Sequence, residues 1–121
     1  NGESAAALAA ALREYFDYRK LFLVIGTMRD KDVRAMGFEL ARYCELIVCT
    51  AFNSPRARDP FEIIQEIGFL GPPAVAEASV PEAIETALSH ADDEDLVCVT
   101  GSLYVVAEAR EYLLGEGATG E

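Results

Sequence analysis

Three short apolar runs, at residues 21–25 (LFLVI), 46–50 (LIVCT) and 96–100 (LVCVT), show none of the polar–apolar alternation of a strand with one wet face. Runs of this kind belong to strands covered on both faces of a parallel sheet. Between them lie helix-length amphipathic stretches, and strands alternating with helices predict an α/β fold: a doubly wound, mostly parallel sheet with helices on both faces. A first helix is expected over residues 4–18, with Ser4 as its cap and Leu8, Leu12, Tyr15 and Phe16 on one apolar face. Val33, Met36, Leu40 and Tyr43 make a second over residues 33–43. Asp59, with Pro60 at the first helical position and Glu62 placed to close a capping box, opens a third that runs to about residue 67. Residues 74–76 read as a short strand. Ser79 and Glu82 form another capping box before a helix over residues 81–91, and Ser102 caps the last helix, which Gly115 is placed to stop. The chain of 121 residues then reads as one domain, folded over residues 1–114 with a flexible tail at 115–121.

A net charge of −11 argues against nonspecific contact with nucleic acid or an anionic membrane, since both need clustered Lys and Arg. Any anionic ligand must be held locally. The apolar runs are far shorter than the roughly 20 residues of a bilayer span, and no leader pattern is visible. Cys44, Cys49 and Cys98 make an odd count without metal spacing, and read as reduced core thiols of a cytoplasmic protein.

Parallel α/β sheets bind ligands at the carboxyl ends of their strands, which directs attention to the loops at residues 26–32, 50–59 and 100–104. Gly101-Ser102 lies where a helix begins, so its free N–H groups suit a carboxylate or phosphate; equally, Ser102 serves as a plain N-cap. Lys31, between Asp30 and Asp32, is placed either to reach a phosphate or to stand as a solvated charge. Arg56 follows the stiffening Pro55, and is either a fork for a carboxylate or a surface residue. The sequence has neither GxxxxGK[ST] nor GxGxxG, so it carries no visible grip for a triphosphate. The single histidine, His90, falls near a helix end among surface-type residues, which leaves no Ser/His/Asp set. With 21 acidic side chains, no carboxylate pair stands out as an acid–base site.

Taken in order, these loops resemble the C-terminal domain of the folylpolyglutamate synthase and dihydrofolate synthase family, part of the Mur ligase superfamily. VTGSLYVVAEAREYL resembles the family's Gly-Ser-Leu-Tyr signature with its following Glu-x-Arg. LVIGTMRDKDV is similar to its strand, Gly, short spacer and Lys-Asp. NGESAAALAAAL is similar to the segment after Asp-Gly-Ala-His in the family's Asp-Gly-Ala-His-Asn-Pro motif, with Gly2 in place of Pro. TAFNSPRARDPFEIIQEI is similar to the Asn-Pro-Arg loop by which some Mur ligases bind an amino-acid carboxylate; Asn53-Ser54 replaces Asp-Asn, and Arg56 is kept.

The resemblance implies a Rossmann-like domain lacking its first strand, cut from a larger ligase whose N-terminal domain carries the phosphate loop and the Mg2+ ligands. The whole enzyme would use ATP to phosphorylate a folate or dihydropteroate carboxylate, and the amino group of L-glutamate would attack the acyl phosphate. Asn1, Asp30, Lys31, Asp32, Arg56, Ser102 and Tyr104 would line the glutamate or nucleotide cleft, closed against the N-terminal domain. Alone, the domain is expected to be inactive, to bind ATP weakly, and to self-associate through its exposed sheet edge. The alternatives are a Mur-type ligase acting on a peptidoglycan precursor, a cyanophycin-type synthetase, a free-standing anion-binding module, and a domain whose strand-end charges only solubilise it.

Overall fold

The computed structural model describes residues 2–115. In chain order it contains α1 (Gly2–Tyr15), β1 (Leu21–Ile25), α2 (Val33–Leu40), a 3-10 turn (Ala41–Tyr43), β2 (Cys44–Cys49), α3 (Pro60–Ile67), β3 (Ala74–Ala76), α4 (Val80–His90), β4 (Leu96–Thr100) and α5 (Leu103–Leu114). The four strands form one sheet in the order β3-β2-β1-β4, every pair parallel. The chain steps outward from β1 to β3 through α2 and α3, then returns through α4 to place β4 on the other side of β1. That reversal opens a crevice at the carboxyl ends of β1 and β4.

The period of two along the strands sorts the core into two layers. Leu23, Ile25, Ile47 and Cys49 face α1, α2 and α3, meeting Ala5, Ala9, Met36, Leu40, Ile63 and Ile67. Phe22, Val24, Leu46 and Val48 face the other way onto Ala83 and Ala87 of α4. Val105 and Ala109 of α5 pack with Phe52, Val80 and Ile84. Helices on both faces and a parallel sheet are as the apolar runs predict, and β1 is buried along its whole length.

Several sequence expectations shift. Helix α1 starts at Gly2, so Ser4 lies inside it and is not its cap, and it ends at Tyr15 rather than Tyr18. It buries the small Ala5 and Ala9 with Leu12, while Tyr15 and Phe16 are exposed; alanines let this helix lie close to its neighbours, and the aromatic residues fall beyond the packed stretch. Helix α2 stops at Leu40 and tightens into the 3-10 turn that holds Tyr43. Strand β2 is displaced towards its start, taking in Cys44 and ending before Thr50. Helix α4 begins one residue early, at Val80, and ends at His90. Asp59 does cap α3, accepting from the Phe61 N–H at 2.8 Å, but Glu62 turns to Arg58 at 3.9 Å instead of closing a box.

Strand β4 departs most. Its run reads as doubly buried, yet it is the sheet's edge strand and only half-buried throughout. Leu96 N–H reaches Lys20 O and Thr100 O receives Gly26 N–H, so the backbone groups of Val97 and Val99 point away from β1, where no described strand lies. Gly115 closes α5 in the left-handed conformation at φ 71°, as expected of a stop signal. The expected tail beyond it lies outside the described residues.

No described helix is long and apolar enough to cross a membrane. The three cysteines are unpaired, and all belong to strands.

Candidate functional site at the carboxyl ends of the strands

The loops after β1 and β2 are zipped together. Arg29 N–H donates to Arg56 O at 2.9 Å and Arg58 N–H to Thr27 O at 2.8 Å, with Met28 and Ala57 bridged antiparallel between them. Side chains reinforce this ribbon. One terminal nitrogen of Arg58 donates to the carbonyls of both Arg29 and Lys31, each at 2.7 Å, and Arg29 donates to Pro55 O at 3.0 Å. Ser54 Oγ accepts from Arg56 N–H at 3.1 Å, fixing the turn after Asn53. Four of the chain's ten cationic side chains, Arg29, Lys31, Arg56 and Arg58, thus meet on one small feature of a protein with net charge −11.

The four are not equivalent. Arg58 has its side chain 19% exposed and leans on Glu62, while Arg29 is bonded to backbone. Among the described residues neither Lys31 nor Arg56 takes part in an ion pair, and both are exposed. Met28, Arg29, Asp30 and Arg56 line a shallow recess of about 200 Å³ between the loops. Asp30 on the recess wall and Glu62 beside Arg58 offset part of this charge, but the ion-pair-free Lys31 and Arg56 still favour an anion, because a guanidinium meets a carboxylate or phosphate bidentately and adds charge to the hydrogen bonds. Among the described residues two buried side-chain polar atoms lack partners, Thr27 Oγ1 and Arg58 Nε, and they belong to residues bonded to each other across the ribbon.

The third loop meets the first through glycine. Gly26 N–H donates to Thr100 O at 3.2 Å, and Gly101 stands at φ 120° so close that a Cβ there would fall on the Gly26 carbonyl. A Cβ on Gly26 would lie 2.8 Å from both Thr50 O and Val105 Cγ2. Gly-Ser is therefore first a packing device: glycine lets the ends of β1 and β4 touch, and Ser102 then caps α5, its Oγ accepting from Val105 N–H at 3.2 Å.

Of the residues singled out from the sequence, Asp30 and Arg56 line the recess, Lys31 is tied to the ribbon by its backbone carbonyl, and Asp32 lies in a separate depression at the start of α2. Asp32 is itself the cap of α2, accepting from Ala35 N–H at 3.1 Å. Ser102 lies apart from the cationic recess, in an apolar depression with Leu8, Met36, Leu103 and Val106. Tyr104 reaches the second loop, stacked on Phe52 at 5.2 Å between ring centroids. Asn1 lies outside the described residues. His90 is structural: its Nδ1 is 2.9 Å from Thr86 O and its ring lies near Phe22. Sequence reasoning missed Arg29 and Arg58. The available signal was an excess of cations in both loops, with Arg58 directly before the Asp59 cap on extended backbone.

A larger cleft, about 920 Å³, also borders the second loop, along Phe52, Asn53 and Ser54. Its charged lining is Glu108 and Glu111, and Glu108 accepts from Asn53 N–H at 2.8 Å. Size alone favours this cleft, but its charge repels carboxylates and phosphates, so the smaller cationic recess is the better place for an anion. No group of three or more His, Cys, Asp or Glu among the described residues is arranged to hold a metal ion. Burial pushes the thiols of Cys44 and Cys49 up to about 12 and raises that of Cys98, with Cys98 adding to the effect on Cys44, so these groups are protonated packing residues.

Residues 1–103 match the family described as "Mur ligase, glutamate ligase domain". A probable bifunctional folylpolyglutamate synthase/dihydropteroate synthase of Haloferax volcanii is 41% identical over 112 residues, covering 91% of this chain and 13% of its own length. A UDP-N-acetylmuramoyl-L-alanyl-D-glutamate–2,6-diaminopimelate ligase of Prochlorococcus marinus is 41% identical over 90 residues, 69% of this chain and 17% of that protein. The structure of Mycobacterium tuberculosis folylpolyglutamate synthase complexed with ADP superposes with a TM-score of 0.85 at 30% identity, over 91% of this chain and 27% of that one. The chain therefore spans a small part of these relatives. Its four parallel strands, its strand-end cationic loops and these likenesses together show that the chain belongs to the glutamate ligase domain family of the Mur ligases.

Proposed function

We propose that this domain serves an ATP-dependent folylpolyglutamate synthase, joining L-glutamate to the carboxylate of a folate, or of dihydropteroate, within a larger enzyme. The observation that supports it is the ribbon that carries Lys31 and Arg56 together, two unpaired cations at the strand ends of a glutamate ligase domain. In the reaction the acceptor carboxylate takes the γ-phosphoryl group of ATP and ADP leaves. The glutamate nitrogen then attacks the acyl carbon, phosphate departs with the bonding electrons, and the nitrogen loses a proton to give the amide. The domain's part is to bind and orient. Lys31 and Arg56 meet the carboxylates of glutamate, Asp30 and Asp32 border them, and Ser102 and Tyr104 belong to the face that closes against the N-terminal domain and excludes water. The described residues offer neither a metal cluster nor a phosphate loop, so we assign Mg2+ and most of the ATP contacts, with the folate site, to the rest of the enzyme. Three unpaired thiols fit a cytoplasmic setting. Apart from its enzyme, the domain has no turnover and little ATP affinity, and it offers the open edge of β4 to a second copy.

The test is ADP release by the full-length enzyme with glutamate and either a folate or dihydropteroate, beside Arg56→Ala. A glutamate KM raised ~10-fold or more, with a smaller change in kcat, is the expected outcome for a lost substrate-binding charge. The Prochlorococcus relative supports one rival, a ligase acting on a peptidoglycan precursor. Turnover with a UDP-muramoyl peptide and none with folates would establish that rival.

A further inference from the structure

Arg58 donates to two backbone carbonyls of the facing loop, and no binding role requires it. We propose that it is a positioning residue: its guanidinium, by bridging the carbonyls of Arg29 and Lys31, fixes where Lys31 stands relative to Arg56. The inference rests on the reading of Lys31 and Arg56 as the glutamate-carboxylate pair, and it adds the device that sets their spacing.

Both bonds leave one terminal nitrogen and are 2.7 Å long, at the short end for N–H···O, as expected when the donor is charged. The backbone of Arg58 is held too, by its N–H on Thr27 O at 2.8 Å. Arg58 lies directly before the Asp59 cap of α3, so the guanidinium ties the loop after β1 to a helix start. The Lys31 loop is otherwise held by Arg29, whose N–H reaches Arg56 O at 2.9 Å and whose guanidinium reaches Pro55 O at 3.0 Å, by Lys31 N–H on Met28 O at 3.1 Å and by Asp32 as the cap of α2; beyond Arg29 it is the Arg58 guanidinium that ties Lys31 to the opposite loop. Glu62, at 3.9 Å, is too far and too exposed to be what holds the guanidinium in place. Removing the guanidinium leaves two carbonyls without their charged donor, and the stretch beyond Arg29 that bears Lys31 is freed to shift relative to Arg56. A dicarboxylic amino acid is sensitive to that spacing, because it presents two anionic groups at a fixed separation and both must find their partners at once.

The experiment uses the full-length enzyme with Lys31→Ala, Arg56→Ala, Arg58→Ala, Arg58→Lys and the Lys31→Ala/Arg58→Ala double variant. Two readouts are taken: glutamate KM and kcat, and amide hydrogen exchange over residues 27–32 without substrates. Arg58→Ala is expected to raise glutamate KM ~10-fold with kcat within about 2-fold, and the double variant to be no worse than Lys31→Ala alone, since coupled residues are non-additive. Exchange at the Arg29 and Lys31 amides is expected to rise at least ~10-fold in Arg58→Ala, as local opening becomes easier. Arg58→Lys keeps the charge on a shorter stem; it guards against simple unfolding and should leave the same amides fast. If Lys31→Ala raises KM but Arg58→Ala does not, or if the two effects add in full, the positioning role is wrong and the carboxylate reading stands. If Lys31→Ala and Arg56→Ala both leave glutamate KM unchanged, the carboxylate reading fails, and with it the role of Arg58 towards glutamate. Unchanged exchange in a folded Arg58→Ala enzyme overturns the clamp itself, whatever the kinetics show.

Discussion

Gly101 shows how one position can serve architecture and site together. It combines a backbone conformation that side chains rarely adopt with a contact that leaves no room for a Cβ. Gly101→Ala must therefore push the Gly26 carbonyl aside or drag the start of α5 with it. It is expected to lose ~2 kcal/mol or more in denaturant unfolding, where an exposed glycine would change little. Gly71, also at positive φ but with open space around it, is the internal control: its strain is conformational alone and its loss should be smaller. Among the thiols the sign is equally clear. Cys44 and Cys49, held near 12 by burial, keep only about one ten-thousandth of their population as thiolate at pH 8, so both should react with an aromatic disulfide reagent only as the domain unfolds. Rapid modification of the native protein at either residue would show that strand β2 is more open than its packing implies.

At the level of elements, three of the helix caps were legible and the edge position of β4 was not. Asp59, Ser79 and Ser102 can be read as caps because a short polar oxygen before an apolar period has one local use, and each accepts the expected N–H. Ser79→Ala should cost ~1 kcal/mol in thermal unfolding, and Glu62→Ala, at a residue that closes no box, much less. The ribbon was illegible because it is made of backbone bonds between loops nearly thirty residues apart, and no periodicity announces such pairing. The edge position of β4 was illegible for a related reason: a parallel strand's sequence reports its two faces but not whether both its neighbours are present. The opposite ends of β1 and β4 are tied by Asp95, whose side chain is 1% exposed and which accepts from the backbone of Asp92 and Lys20 beside Arg19. The Asp92 N–H first, and then the charge and hydrogen bond of Arg19 with the Lys20 N–H, hold its carboxyl below the ordinary 3.8. A depressed carboxylate contributes stability above its unfolded value and loses it as pH falls through the folded one. Asp95→Asn should therefore be less stable than the parent at pH 7, with the gap narrowing as pH falls below 3.8 and through the depressed folded value.

For the whole molecule, charge and topology pull in opposite directions. Eleven net negative charges on 121 residues repel a second copy, whereas the outward N–H and C=O groups of Val97 and Val99 invite one. At the carboxyl end of β4, Leu8 of α1 and Leu103 and Val106 of α5 line one depression with Thr100, apolar surface that a second copy would cover. Repulsion between surfaces is screened within about 10 Å at 0.1 M salt and within about 3 Å at 1 M, while burial of apolar area is not weakened by the same change. The isolated domain should therefore be monomeric in dilute buffer and associate as salt is raised, the opposite of an assembly held by ion pairs. Sedimentation equilibrium across that range, with Val97→Pro alongside, separates the causes. Proline removes an N–H that β1 does not use, so the variant should keep its fold and remain monomeric at every salt concentration. A parent domain that stays monomeric at high salt and high protein concentration would show that the β4 edge does not recruit a second copy, and association undiminished in Val97→Pro would place the contact elsewhere on the surface.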